Sequence, residues 1–248
     1  MSEIVATIAQ LYIYPVKSMA GISVQEAHVG LDGILGDRLY SFVREDQAGN
    51  DGFPWMTARQ SARMLLYRPN FNEAPVPAQP EPPVSVRTPE GSPFDVNDPG
   101  LREELASQTA QRLFLLKSSR GFHDCQHISV LSLATVRSLA TEADCVIDPR
   151  QFRANLYVEP VSGQPFEEEA WPGGLLQIGS QALIGVTKRD GRCMIINLDP
   201  ESGTQDPRVL KTVAQRHGGQ VGVYANVIRR GAVRVGDAVR LIAAPVAG

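Results

Sequence analysis

Short segments that alternate apolar and polar residues, separated by turns about every ten residues, dominate this chain. The first runs from Ile4 to Tyr14 and is β-branched or aromatic at most positions, which predicts a strand. Residues 175–178 and 181–186 predict a hairpin across Gly179-Ser180. Many short strands at this spacing, with few helices, indicate a mainly β fold of barrel-like architecture.

Three stretches are predicted to be helical instead. Residues 99–111 follow Asp98, and a helix from about 133 to 142 follows Ser132, a residue type that caps helix N-termini. The third predicted helix covers 206–215. These helices are too few to change the predicted fold class.

Six prolines crowd residues 69–83. Neither a helix nor a central strand tolerates that density, because proline lacks the backbone N–H and has a fixed φ. We predict two packed β-rich domains, which cover residues 1–118 and 119–248. The proline-rich stretch should be an exposed loop of the first domain. A chain of 248 residues can bury one large core or two modest ones.

Composition excludes several classes of protein. Hydrophobic residues make up 43% and charged residues 21% of the chain, as in ordinary globular proteins. With a net charge of −3, the chain lacks the overall excess of basic residues that is typical of nucleic-acid-binding proteins. The N-terminus lacks the pattern of a signal peptide, and no apolar run reaches about 18 residues, so we expect no membrane partner.

The three cysteines, Cys125, Cys145 and Cys193, are an odd number without close pairing. This pattern is typical of a reducing compartment, and we predict a cytoplasmic protein. It also excludes an iron–sulfur cluster held by four cysteines of this chain.

Cys193 lies between the basic residues Lys188, Arg189 and Arg192 and the apolar run 194–198. Neighbouring arginines favour the thiolate, the species that attacks or binds metal. The same pattern also fits a free cysteine packed as a small hydrophobic residue at a strand start. From this window alone both interpretations stay open.

Two other stretches are weaker candidates. Residues 123–127 contain two histidines, an aspartate and a cysteine, but no second ligand cluster lies at zinc spacing. The glycines of 30–36 match no phosphate-loop pattern. A predicted strand ends just before Lys17 and Ser18, and a cation and a hydroxyl there could bind an anion. A lysine in such a position more often lies in a solvent-exposed turn without a ligand.

Six motifs, in order, resemble the MOSC family, named for the C-terminus of molybdenum cofactor sulfurase. Three resemble its N-terminal β-barrel domain: Tyr14-Pro-Val-Lys-Ser-Met-Ala-Gly, Gly36-Asp-Arg38 and Thr57-Ala-Arg59-Gln. Three resemble the MOSC domain itself: Phe152-Arg153-Ala-Asn155, Arg192-Cys193 with Asp199-Pro-Glu-Ser-Gly, and Val235-Gly-Asp-Ala-Val-Arg-Leu. Their order is similar to that in the branch of mitochondrial amidoxime-reducing components and bacterial relatives.

The resemblance implies a molybdenum cofactor of the molybdopterin type, with Cys193 as metal ligand and catalytic residue. It implies that seven further residues hold the cofactor's pterin and phosphate: Lys17, Ser18, Arg38, Arg153, Asn155, Arg192 and Tyr224. Three positions depart from the family pattern. Met19 stands where many relatives have cysteine, Gly191 where the eukaryotic reductases have serine, and Ala154 where proline is usual.

The implied activity is reduction of N-hydroxylated or N-oxide compounds, which are small-molecule substrates. No ferredoxin-like extension follows Gly248, so the resemblance implies a separate electron-transfer protein, ferredoxin-like or a flavin reductase. Two alternatives remain open. One is a sulfur carrier that uses a Cys193 persulfide for metal–sulfur cofactor assembly, and the other is a protein that binds the cofactor without turnover.

The cationic residues come from both halves of the chain. A single anionic ligand would need them together, so we expect one site between the two predicted domains. Lys17 and Arg38 should then face Arg153 and Cys193 across that site.

Overall fold

The computed structural model describes residues 3–47, 53–109 and 111–243. Fifteen β-strands lie within these residues: β1 Glu3–Ile13, β2 Ile22–Val24, β3 Glu26–Val29, β4 Tyr40–Arg44, β5 Arg68–Phe71, β6 Val84–Arg87, β7 Pro93–Asp95, β8 Leu113–Lys117, β9 Ile128–Ser132, β10 Leu156–Pro160, β11 Leu175–Ile178, β12 Ala182–Gly191, β13 Gln220–Arg229, β14 Gly231–Arg234 and β15 Ala238–Ala243. Three α-helices accompany them: α1 Pro99–Ser107, α2 Leu133–Ala143 and α3 Arg208–Arg216. The mainly β fold with few helices is confirmed.

Seven strands form a closed barrel. Their order is β1-β10-β9-β13-β12-β11-β15, and β15 pairs again with β1. Only the β9–β10 pair in this ring is parallel. Closure leaves no free edge in the ring, and β2 extends the sheet beside the end of β1.

Apolar side chains that face inward on both sides of a bulge between Ile8 and Gln10 explain why β1 takes its place in the barrel. Ile8, Leu11 and Ile13 are buried, and they pack with apolar residues from the other strands of the ring and with Trp171. Burial of each such side chain contributes about 1.5–3 kcal/mol. Because β1 contacts β10 on one side and β15 on the other, the first strand of the chain completes a barrel built from its second half.

A second group of strands packs around its own core. The pair β4–β8 and the sheet β5-β6-β7 enclose a cluster that includes Phe42, Met64 and Leu101. Pro69 lies in β5, which pairs only with β6 and is therefore an edge strand, as proline requires. The predicted boundary between residues 118 and 119 stays a prediction.

The helix starts follow the capping residues in the sequence. The Ser132 hydroxyl accepts hydrogen bonds from the backbone N–H groups of Ala134 and Thr135, and the Asp98 carboxylate accepts one from Gly100. The third helix begins at Arg208 rather than at residue 206. No helix of the described residues combines the length and the apolar character needed to cross a membrane.

The interpretation of Cys193 as a residue at a strand start is wrong. β12 ends at Gly191, and residues Met194–Asn197 form a 3₁₀ helix. This single turn carries Ile196 into the core around α2 and α3, which an extended run could not do at this position. Cys193 therefore occupies the junction between a strand and a tight helix.

Gly36 is predicted to be essential for stability. It has φ +83°, and a Cβ there would lie 2.7 Å from Cζ of Phe71 and 2.7 Å from Cγ of Pro75. Gly36→Ala should lower the free energy of unfolding by about 2–5 kcal/mol, since left-handed strain and overpacking add. Chemical denaturation measures this loss.

Gly91 provides the matched control for that substitution. It has φ +94°, but a Cβ added there would meet no other atom within 4 Å. Gly91→Ala should therefore show only the conformational strain, about 1–2 kcal/mol. Equal losses in both variants would contradict the steric explanation.

Candidate functional site

All eight residues proposed for the site from the sequence line one cavity of about 310 Å³. The volume is within the range of sites for small molecules and cofactors. Lys17, Ser18 and Arg38 come from the first half of the chain. The other five come from the second half: Arg153, Asn155, Arg192, Cys193 and Tyr224.

The closed barrel explains this convergence. Lys17 and Ser18 follow the end of β1, Arg153 and Asn155 precede the adjacent β10, and Cys193 follows the end of β12. Tyr224 of β13 is paired with both β9 and β12. The antiparallel pairing of β1 with β10 brings the first four of these residues together at one end of the barrel. A hydrogen bond of 2.9 Å from Arg192 Nη1 to the Phe152 carbonyl joins the segment that carries Cys193 to them.

Backbone strain is concentrated at this rim. Ser18, Arg38 and Arg153 have φ of 66°, 53° and 54°, the left-handed region that side chains other than glycine disfavour. They are three of only five such residues in the described part of the chain. Strain of this kind costs about 1–3 kcal/mol at each residue and is typical of functional sites.

Tyr14 holds two half-buried arginines together. The guanidinium carbons of Arg38 and Arg153 lie 4.9 and 4.4 Å from the centre of its ring, within the range of cation–π attraction. Arg38 Nη2 donates to the Arg153 carbonyl at 3.1 Å, and Arg153 Nη1 donates to the Met19 carbonyl at 2.8 Å. Both cations are therefore fixed before any ligand binds.

Lys17 forms the second cationic element. Its ammonium donates to the Phe122 carbonyl at 2.7 Å and forms an ion pair with Asp124. Burial lowers the pKa of Lys17, and the charge of Asp124 opposes that effect. The side chain of Lys17 is 6% exposed and that of Asp124 is 44% exposed, so the pair connects the cavity wall with solvent.

Arg189 and Arg192, the arginines next to Cys193 in sequence, have carboxylate and carbonyl partners, and their expected effect on the thiol stays a prediction. Arg189 pairs with Glu169 at 2.7 Å. Arg192 Nη1 lies 3.0 Å from Asp190 Oδ2 and donates to the Phe152 carbonyl. A buried guanidinium needs such partners, and they hold these groups in place.

Arg59 is the cation that contacts the thiol. Its Nη2 lies 3.4 Å from Cys193 Sγ. Although Arg59 stands in one of the quoted motifs, sequence reasoning assigned it no role, because 134 residues separate it from the cysteine. The motif Thr57-Ala-Arg59-Gln was the signal that could have identified it.

Two carboxylates and a histidine in the cavity wall were not assigned to it from the sequence: Asp124, Asp190 and His123. His123 and Asp124 had been considered only as part of a zinc site. Asp190 is buried, and its Oδ2 accepts a hydrogen bond of 3.0 Å from the Ser129 hydroxyl. Burial raises the pKa of Asp190, against the opposing charge of Arg192. Throughout the described ranges, no three His, Cys, Asp or Glu side chains are grouped to hold a metal ion.

The arrangement combines a thiol with an excess of fixed cations. Arginine side chains bind phosphate through charge-assisted and often bidentate hydrogen bonds. A thiolate is a ligand for soft or thiophilic metals. The cavity can therefore accommodate an anionic molecule that also presents a metal to Cys193.

Comparison with known proteins matches two family models to this chain. The model of the MOSC domain matches residues 117–240, and that of the MOSC N-terminal beta barrel domain matches residues 5–125. Together they cover most of the chain.

Curated relatives include mitochondrial amidoxime reducing component 2 of Rattus norvegicus, 24% identical over 95% of this chain and 83% of the relative. Mitochondrial amidoxime-reducing component 1 of Xenopus laevis is 27% identical over 95% of this chain and 82% of the relative. Among solved structures, the YuaD protein of Bacillus subtilis has a TM-score of 0.52 at 16% identity and covers 97% of this chain and 96% of its own. That likeness shows the shared fold.

An anion should stabilise the protein through the cavity. Phosphate or sulfate at about 100 times its Kd should increase the free energy of unfolding by about 2.7 kcal/mol, because it binds only the folded state. Tm should rise accordingly. Sodium chloride at matched ionic strength should do less, because it only screens. Differential scanning calorimetry measures both shifts.

Substitution of Arg59 by glutamine should reduce the phosphate effect, since one cavity cation is removed. Arg137→Gln is the control, because Arg137 pairs with Glu159 outside the cavity lining. Equal shifts in the two salts, or equal losses in the two variants, would show that phosphate does not bind in the cavity.

His123 should make stability depend on pH. Burial lowers its pKa to about 4, against about 6.5 in the unfolded chain. The unfolded state therefore binds more protons between pH 6.5 and 4, and about 3 kcal/mol of stability should be lost as pH falls through that window. Denaturation of His123→Gln at several pH values should show a shallower slope. An unchanged slope would contradict this assignment.

Proposed function

This chain belongs to the MOSC family, and from that membership and the cavity we propose that it is a molybdenum-cofactor-dependent reductase of N-hydroxylated or N-oxide compounds. The relatives' names describe reduction of amidoximes, which are N-hydroxylated amidines. One observation carries the proposal. The cavity brings together Cys193, its contact Arg59 and the cations contributed by both halves of the chain.

The chemistry of the cavity fits a pterin cofactor that carries a metal and a phosphate. Cys193 offers sulfur to the metal, and Arg38, Arg153 and Lys17 offer positive charge to the phosphate. Of the eight buried side-chain atoms without a geometric hydrogen-bond partner in the described residues, two belong to the cavity wall, Asp190 Oδ1 and Arg192 Nη2.

The proposed roles follow the positions of these residues. Cys193 would ligate the metal, and the other cavity residues would hold the pterin and the phosphate: Lys17, Ser18, Arg38, Arg153, Asn155, Arg192 and Tyr224. When bound, the cofactor supplies two-electron chemistry that removes oxygen from nitrogen. The rigid mounting of Arg38 and Arg153 on Tyr14 means that little reorganisation accompanies binding.

Reduction of an N–O bond to N–H and water consumes protons as well as electrons. Lys17 and Asp124 lie at the cavity wall, and Asp124 is partly exposed to solvent. Because Lys17 is assigned to the phosphate, we assign to the partly exposed Asp124 the path by which protons reach the cavity from solvent.

Electrons come, in this proposal, from a separate protein such as a ferredoxin-like protein or a flavin reductase. The exposed guanidinium of Arg59, beside Cys193, places the proposed metal position close to solvent. Such proximity is what transfer between two proteins requires. Cytoplasmic location remains the prediction made from the cysteine pattern.

Replacement of Cys193 tests the proposal directly. In protein made by a host that synthesises the cofactor, Cys193→Ala should lose nearly all molybdenum-dependent reduction with an artificial electron donor. Cys193→Ser should fail almost as fully, since a neutral hydroxyl is a poor substitute for a thiolate. The measurements are molybdenum content by mass spectrometry and the rate of substrate reduction.

Cys145→Ser is the matched control. Cys145 is half-buried just after α2, where its N–H donates to the Ala140 carbonyl, and it does not line the cavity. That variant should keep its metal and its activity. Retained activity in Cys193→Ala would disprove the ligand assignment, and metal-free wild-type protein with cyanide-releasable sulfur would favour the sulfur carrier instead.

A further inference from the structure

Gly191 is a glycine that neither its backbone conformation nor its neighbours require. Its φ lies outside the left-handed region that favours glycine, and an added Cβ would meet no atom of the described residues within 4 Å. Gly218 and Gly219 have equally open surroundings, but their φ of 61° and 78° explain why they are glycines. A glycine in a strand lowers stability relative to alanine, because it loses more conformational freedom on folding. The described structure therefore gives no packing reason for a glycine at the end of β12.

The side chain that Gly191 lacks would lie on the same face of the chain as the Cys193 thiol. Successive side chains of an extended chain point to opposite faces, so positions 190 and 192 share one face and positions 191 and 193 share the other. The contact of 3.0 Å between Asp190 Oδ2 and Arg192 Nη1 shows that this alternation continues past the end of β12. Cys193 is extended as well, with φ −119° and ψ 179°. A side chain at position 191 would therefore stand beside the thiol.

The space beside the thiol belongs to the solvent-open end of the cavity. Gly191 lines the cavity and is exposed, as is Arg59, which contacts Cys193 Sγ. The side chains of Lys17 and Arg38, which we assign to the phosphate, are only 6% and 15% exposed. A resident cofactor suits the buried end, whereas a substrate, which enters and leaves, needs the open end. The space at Gly191 therefore fits a substrate.

We propose that Gly191 is a specificity-determining residue, which leaves room beside the Cys193 thiol for a bulky substituent of the substrate, such as an aromatic ring. The inference rests on the proposed function and adds the substrate class, N-hydroxylated compounds whose carbon carries a ring. Glycine is the usual residue where a ligand approaches the backbone closely, because no Cβ stands in the way. Arg59 bounds the same end, and its guanidinium lies over the ring of Phe53 at 5.0 Å, the kind of contact that a flat aromatic substituent also makes.

Graded substitution of Gly191 tests the proposal in cofactor-loaded protein with an artificial electron donor. Gly191→Ala and Gly191→Val place progressively larger side chains beside the thiol. The measured quantity is the ratio of kcat/KM for benzamidoxime, which carries a phenyl ring, to kcat/KM for acetamidoxime, which carries a methyl group. This ratio should fall with side-chain size and be at least about 10-fold lower in Gly191→Val, as expected for a change of fit by one or two methyl groups. An unchanged ratio in folded Gly191→Val would overturn the proposal.

Gly185→Val is the matched control, because Gly185 lies in the same strand but outside the cavity lining. A Cβ there would be 3.4 Å from Cδ1 of Ile228, which is an ordinary contact. This variant should keep the wild-type ratio, and an equal fall in both variants would overturn the proposal. The Tm of Gly191→Val should be no lower than that of the wild type, since the added Cβ has free space and the strand loses a glycine. A lower Tm would show that the fold itself needs this glycine, against the proposal.

Alkylation of full-length, cofactor-free protein provides a readout without catalysis. Iodoacetamide is a small thiol reagent, and N-benzyl iodoacetamide carries an aromatic ring on the same reactive group. Mass spectrometry of the peptide that contains Cys193 measures the rate of each reaction separately from those of the other two cysteines. The rate with the bulky reagent, relative to the small one, should be at least about 10-fold lower in Gly191→Val than in the wild type. Equal relative rates would overturn the proposal.

Failure of this proposal is distinguishable from failure of the proposed function. Wild-type protein that retains molybdenum and reduces both amidoximes, together with a Gly191→Val variant of unchanged ratio, would overturn the role of Gly191 alone. Loss of molybdenum from Gly191→Val would assign the space to the cofactor and would overturn it as well. Wild-type protein that binds no molybdenum, or that reduces neither amidoxime, would overturn the proposed function and this inference with it.

Discussion

The rest of the structure depends on the pairing of β1 with two strands from the second half of the chain, β10 and β15. β1 contacts β10 and β15, and without it the ring of seven strands is open. The same strand leads directly to Tyr14, Lys17 and Ser18 at the barrel rim. Barrel closure and assembly of the cavity are therefore one structural event, and the non-local pairing that makes it predicts slow folding relative to helical proteins of this size.

Carboxylates in or next to the cavity wall offset part of its positive charge. Lys17 pairs with Asp124, Arg38 with Asp37, and Arg192 with Asp190. Such pairing lets a barrel hold several buried cations without a ligand, since an unpaired buried charge would cost several kcal/mol.

Strained backbone and pre-positioned side chains occur together at the same residues. Ser18, Arg38 and Arg153 adopt left-handed φ, and the two arginines stack on Tyr14. Packing elsewhere in the barrel and in the core around Met64 supplies the stability that this strain consumes. A site arranged in this way binds its ligand with less loss of entropy than a flexible one.

The sequence alone determined the fold class and the starts of two helices, because strand alternation and capping residues are local patterns. Its resemblance to the MOSC family indicated eight of the residues that line the cavity. The family motifs predicted that Cys193, Arg38 and Arg153 share one site, and all three line the cavity. Only the tertiary structure decided that Arg59, rather than Arg192, contacts the thiol, and that residues 194–197 form a 3₁₀ turn. The physical reason is that the direction of a buried guanidinium depends on partners from distant strands, and proximity in sequence does not reveal them.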